Sequence, residues 1–146
     1  MVTMPRWMAV GLVVFCVLLN FFGFTFKLFE PVFLYDEVAH FVTPFVIVAL
    51  ICEALYRIGY HDSFFENPAQ AAVTGAVVGF VGAVLWEVVE VMLAAMGFEI
   101  SNALPDSAFD VLLGVAGGAL GGWYADRYLD NLLNRSRTQP NRSRVR

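Results

Sequence analysis

The stretch from Ala69 to Met96, AQAAVTGAVVGFVGAVLWEVVEVMLAAM, limits what this chain can fold into more than any other. It is apolar apart from Gln70, Thr74 and two glutamates. As a helix rising 1.5 Å per residue it measures roughly 42 Å, against a bilayer hydrocarbon core of ~30 Å. A membrane span is therefore expected, with length left over for tilt. Glu87 and Glu90 interrupt its last third. Three apart, they share one helix face. A charge near the centre of a span costs ~2.5 kcal/mol or more, so two carboxyls on one face must meet protons, cations or a metal.

Further apolar runs flank this one. The 59% hydrophobic content and mean hydropathy of +0.68 exceed the ~45–50% apolar share of a soluble domain. Because the apolar residues lie in long runs, the expected class is all-α: a bundle of four transmembrane helices over about 7–26, 36–60, 69–96 and 106–128. These make one domain, 1–130. Trp7 to Phe26 carries only Asn20 and Thr25 as polar groups. It is too long for a signal-peptide core and lacks an A-x-A-like end, so it reads as a retained helix. Cys16 and Cys52 fall inside apolar runs and suggest neither a disulfide nor a thiolate metal site. Glu53 and Arg57, four apart with the acid first, read as a self-neutralised helical pair near the membrane boundary. His61 reads as a solvated loop residue.

Charge sets the expected orientation. From Trp123 onward the chain is net +4, and before it net −8. With four spans both termini share one side, which holds Arg6, Arg57 and the six C-terminal Arg; the other side holds Lys27. The positive-inside rule then puts both termini in the cytoplasm of a multi-pass plasma-membrane protein. Residues 131–146 read as a disordered Arg-rich tail near anionic lipid heads. Lacking aromatic residues and adjoining a membrane helix, the tail does not point to nucleic acid.

Alternating helix directions bring polar groups from three helices to one layer, in the outer half of the membrane. The second helix brings Asp36, Glu37 and His40, the third Glu87 and Glu90, the fourth Asp106 and Asp110. That is six carboxyls and one imidazole with no Lys or Arg among them. So many acids cannot all ionise unaided, and protons or a bound cation must intervene. Oxygen and nitrogen ligands from several bundle helices build carboxylate metal sites, here suited to Mg, Mn, Ca or Fe. The candidate ligands are Asp36, His40, Glu87, Glu90, Asp106 and Asp110, with His40 or Glu87 as general base. Glu87 and Glu90 are expected to face the bundle interior, within reach of His40 and of Asp106 or Asp110. The plainer alternatives are N-caps for Asp36 and Asp106, water for Glu37, and a structural hydrogen bond for His40. Capping cannot explain Glu87 and Glu90. Gly114, Gly118 and Gly122 at four-residue spacing, with Gly75 and Gly79 in the third helix, predict close helix approach inside the monomer or, as the alternative, a homo-oligomer seam.

YDEVAHF at 35–41, CEALYR at 52–57, WEVVE at 86–90 and DSAFDVLLGVAGGALG at 106–121 resemble the small membrane proteins of the YjdF type and, more distantly, the VanZ-like proteins. The likeness covers the last three helices in order. It rests on Tyr35, Asp36, His40 and Phe41, on Glu53 and Arg57, on the pair Glu87 and Glu90, and on Asp106 and Asp110. Glu37 stands where that pattern usually has a basic residue, Ala39 where it has Gly, and Cys52 where it has Arg. The resemblance implies a membrane location and a shared polar site, and no particular reaction. Three functional readings remain: a metal-dependent enzyme on a lipid or envelope substrate, a proton- or cation-coupled carrier, or an assembly protein without catalysis. No nucleophile elbow, phosphate loop or cofactor fingerprint is present.

Overall fold

In the structure, a computed structural model, residues 4–29, 32, 34–60, 64–97 and 104–126 are described. They form four helices: α1 (Arg6–Thr25), α2 (Tyr35–Arg57), α3 (Pro68–Ala95) and α4 (Leu104–Tyr124). No strand occurs among the described residues. The expected tail at 131–146 and the loop residue His61 lie outside them.

The helix ends follow local chemistry. Asn67 caps α3, its Oδ1 accepting from the Ala69 and Gln70 amides. Pro68 follows at the first helical position, where a missing N–H costs nothing. Gly97, at φ +94°, turns the chain out of α3 in a conformation that side-chain-bearing residues avoid. The second helix stops at Arg57 and not near Tyr60, because Gly59 takes φ +82° two residues later. Asp36 is the second residue of α2, whose cap position holds Leu34, so it does not serve as the N-cap. Asp106 is likewise inside the first turn of α4.

By length and composition, α1, α2 and α3 can each cross a membrane. The fourth helix is less apolar: its 21 residues include Asp106, Asp110 and five glycines. Its packing compensates for the missing side chains. Gly114, Gly118 and Gly122 face α3, where a Cβ on Gly118 would run into the Gly75 carbonyl and one on Gly122 into the Ala71 carbonyl. Gly117 and Gly121 face α2 and rest on the Phe41 and Phe45 carbonyls. Thus α4 lies backbone to backbone against two neighbours, antiparallel to α3 and parallel to α2. Dispersion between closely approached backbones is what holds membrane helices together where lipid removes the hydrophobic drive.

The first helix is held differently. It packs on α2, where Asn20 Nδ2 donates to Thr43 Oγ1 (3.1 Å) and to its own Cys16 carbonyl (2.8 Å), and Tyr35 donates to the Leu19 carbonyl (2.7 Å). Most of its remaining surface, including Trp7, Val10, Val14, Phe15 and Phe21, is exposed, as suits a lipid-facing helix. Among the described residues no Cα of α1 comes within 8 Å of one in α3. The two helices meet through the Phe24 and Trp86 rings, with centroids 5.7 Å apart.

Between the far ends of α1, α2 and α3 sits the buried cluster of Met4, Val48, Ala49, Cys52, Phe65 and Ala71. Beside it, Glu53 Oε1 accepts from the Met4 amide (2.8 Å) and from Arg57 Nε (2.9 Å), while Arg57 donates through Nη2 to the Met4 carbonyl. The helical pair of Glu53 and Arg57 is therefore also a clamp on the chain just before α1. Asp126 is buried at this same side of the molecule, next to Ala125 of the cluster.

Candidate functional site

The polar residues of α2, α3 and α4 converge at the opposite end of the bundle. His40 lies one turn after Asp36 in α2, and its Nε2 is 3.3 Å from Asp36 Oδ1. From α4, Asp110 comes to the same imidazole: a ligand atom from each of Asp36, His40 and Asp110 lies within 4.8 Å of the others. From α3, Glu87 and Glu90 approach it as well, and His40, Glu87 and Glu90 also place ligand atoms within 4.8 Å of one another. His40 thus belongs to two groups of three. The site is one imidazole shared by two sets of acids.

The glycine seams make this convergence possible. Gly117 on α4 touches the Phe41 carbonyl, one residue beyond His40, and so fixes how near Asp110 comes to the imidazole. Gly114 lies against Ala83, about one turn before Glu87. A side chain at either glycine would separate the helices that carry the acids. Pro44 adds a further feature on α2. It has no N–H to give the His40 carbonyl four residues earlier, so this carbonyl lacks its ordinary helical donor.

Burial and hydrogen bonding set the electrostatics. His40 and Glu90 are each 8% exposed and Asp110 4%. Glu90 Oε1 accepts from Trp86 Nε1 at 3.0 Å. Both carboxylate oxygens of Glu87, and Oδ1 of Asp110, are buried without a hydrogen-bond partner among the described residues. Such atoms are costly to leave unmet. No Lys or Arg is available along these helices: α3 and α4 have none, and α2 has only Arg57, at its far end and bonded to Glu53. Chemically the arrangement can bind a cation, accept and pass protons, or activate a polar group brought to it.

Of the six residues expected as ligands, Asp36, His40, Glu87, Glu90 and Asp110 fall in these two groups. Asp106 is exposed and belongs to neither. Glu37 is half-buried and also lies outside them. Trp86, the donor to Glu90, is a participant that the sequence did not single out; its position four residues before Glu90 was the available signal.

A second feature adjoins the site. A cavity of about 520 Å³ lies between α1, α2 and α3, with His40 and Trp86 at one end and an apolar lining elsewhere.

A family model described as a predicted membrane protein (DUF2238) matches residues 1–131, in agreement with the YjdF-type resemblance of the motifs. No curated protein and no solved structure matches the chain.

Proposed function

The chain belongs to the DUF2238 family of predicted membrane proteins, and from that premise we propose that it is a divalent-metal-dependent enzyme acting on a lipid or cell-envelope substrate. The site sits in a bundle of four spans whose termini face the cytoplasm, and it opens to the outer side. The observation that carries this reading is the pair of buried, unpartnered Glu87 oxygens beside His40, with Asp110 Oδ1 in the same condition in the other acid group of that imidazole. A divalent cation removes that cost by supplying positive charge where the helices bring none. One imidazole among carboxylates suits Mg, Mn, Ca or Fe. His40 with Glu87 and Glu90, or His40 with Asp36 and Asp110, would hold it. Once bound, the ion would polarise a substrate oxygen and acidify a water. With His40 held as a ligand in either triad, a carboxylate left outside the coordination shell, such as Glu87 when Asp36 and Asp110 hold the ion, would serve as the base. Trp86 keeps Glu90 oriented through its indole N–H.

A second reading, a proton- or cation-coupled carrier, is favoured by His40's place in both acid groups, since a shared imidazole links two acceptors in series. Metal analysis of the purified protein separates the two. The enzyme reading expects a stoichiometric divalent ion in the wild type, lost in Glu87→Gln or in Asp110→Asn, according to which triad holds it, while helical content is unchanged. Metal-free wild-type protein that moves protons or cations across vesicle membranes would overturn it in favour of the carrier. Metal-free protein without flux would leave an assembly role.

A further inference from the structure

The cavity beside the site has walls that say what can enter it. On α1 it is bounded by Val13, Cys16, Val17 and Asn20, and on α3 by Val78, Gly79, Gly82 and Ala83. These are mid-helix positions, at hydrocarbon depth in a span. Because α1 and α3 do not approach each other there, the space between them is a side window. Both ends are closed: by the Phe24–Trp86 ring contact near His40, and by Met4 and Phe65, with Met8 and Leu12 of α1 against them, at the other. Gly82 deepens the window, since a Cβ built on it meets nothing within 4 Å.

We propose that this window takes one hydrocarbon chain of a bilayer lipid, entering between α1 and α3 with its polar head held at His40. The head-group half of the proposal rests on the reading of the polar site given above. Three considerations select the occupant. Water is a poor filler, because an ordered water needs about 2–4 polar partners. The lining offers few, and Asn20 already donates to Thr43 and to the Cys16 carbonyl. A helix from a second copy does not fit: from Val78 to Trp86 the window spans about 12 Å along α3 and is shut at both ends, while a helix is ~10–12 Å wide and must continue beyond that. A flexible chain fits, and about 520 Å³ lies within the ~300–1,000 Å³ usual for small-molecule sites. The polarity also runs the right way. The apolar slot ends at His40, the residue shared by both acid groups, so a lipid threaded into it presents its head-group oxygens to the carboxylates and any ion they hold.

The test uses the full-length protein in vesicles of phosphatidylcholine and phosphatidylglycerol containing a phospholipid with a mid-chain diazirine. After illumination, adducts are mapped by peptide mass spectrometry. The expected result is labelling concentrated at Val13, Val17 and Val78 over the lipid-facing Val10 and Val73. Gly82→Phe, which fills the window, should reduce the window adducts about tenfold, equivalent to roughly 1.4 kcal/mol of chain binding. Val17→Trp, from the opposite wall, should do the same. Gly11→Phe, equally free of neighbours but outside the window, should leave them unchanged. Uniform labelling of all lipid-facing positions, or window adducts insensitive to both fillers in proteins with unchanged helical content, overturns the proposal. Metal content of the same samples is read separately. Metal bound without filler-sensitive labelling sinks the chain site alone. Filler-sensitive labelling in metal-free protein sinks the metal reading alone, and with it the head-group half.

Discussion

Replacing Gly118 by alanine adds one methyl group at the tightest seam of the molecule, and its cost can be worked out from the packing. The new Cβ would overlap the Gly75 carbonyl oxygen, lie 2.9 Å from Gly79 Cα and lie 3.1 Å from the Gly75 carbonyl carbon. Carbon atoms rest comfortably at about 3.5–4.0 Å, so α4 must retreat from α3 by roughly 0.5–1 Å. All these neighbours are backbone, and no rotamer change relieves the overlap. Overpacking of this kind costs about 1–3 kcal/mol. Alanine's better helix propensity returns ~1 kcal/mol, leaving a net loss of up to about 2 kcal/mol. For a chain of this size, at about 2–4 °C per kcal/mol, that lowers Tm by up to ~8 °C. The matched control is Gly82→Ala, where the Cβ meets open space and only the propensity gain applies. Thermal unfolding in detergent, followed by circular dichroism, should show the first variant melting earlier and the second no earlier than wild type. Gly118→Leu should melt earlier still. Equal melting of Gly118→Ala and wild type, or equal loss in both alanine variants, would refute the backbone-contact argument for this seam.

Two further outcomes follow from other parts of the molecule. Glu53→Ala removes the acceptor for both the Met4 amide and Arg57 Nε; it should cost about 1.5–3 kcal/mol as a charge-assisted pair is lost, read as earlier melting and faster proteolysis near the N-terminus. In a background with Cys16 and Cys52 replaced by alanine, a single cysteine at Ser101 should react with an impermeant maleimide in intact cells and one at Ser143 only after the cells are opened; the same behaviour at both positions would end the four-span, termini-inside arrangement.

The helices were readable because hydropathy is a property of a single segment. Runs as apolar as 7–26 and 69–96 leave few alternatives to a span, and the four helices occur near the expected places. The sequence pattern runs to about Tyr60, three residues past the end of α2 at Arg57, because Gly59, in positive φ, outweighs the residues around it. The depth of the polar groups was also accessible, since alternating helix directions put Asp36, His40, Glu87, Glu90, Asp106 and Asp110 toward one end of the bundle. Which of them meet depends on how each helix is rotated about its axis, and that is settled by partners. Asp106 and Asp110 share a spacing compatible with one face, yet Asp110 is turned inward and Asp106 outward. The hold of Glu53 and Arg57 on Met4 is a relation across about fifty positions in the chain that no local pattern announces. The window between α1 and α3 is less accessible still, because it consists of a contact that two helices do not make.

The parallel seam between α2 and α4 has a consequence for how the protein is made. Of the four helices, the one that leaves the ribosome last, α4, supplies Gly117, Gly121 and Asp110. Until it arrives, α2 waits in the bilayer with Asp36 and His40, and α3 with Glu87 and Glu90. The neighbouring pair α3 and α4, joined by a short connection, closes quickly because its loop-closure entropy is small. Docking of that hairpin onto α2 is the slower, longer-range event, and it is the step that assembles the polar cluster. Biogenesis therefore passes through a stage in which these acids lack their final neighbours, and on the proposed intramembrane placement of the site each charge would cost about 2.5–3.5 kcal/mol at mid-bilayer. A chain stopped before α4 should be a substrate for membrane quality control, whereas one carrying the full hairpin should escape it.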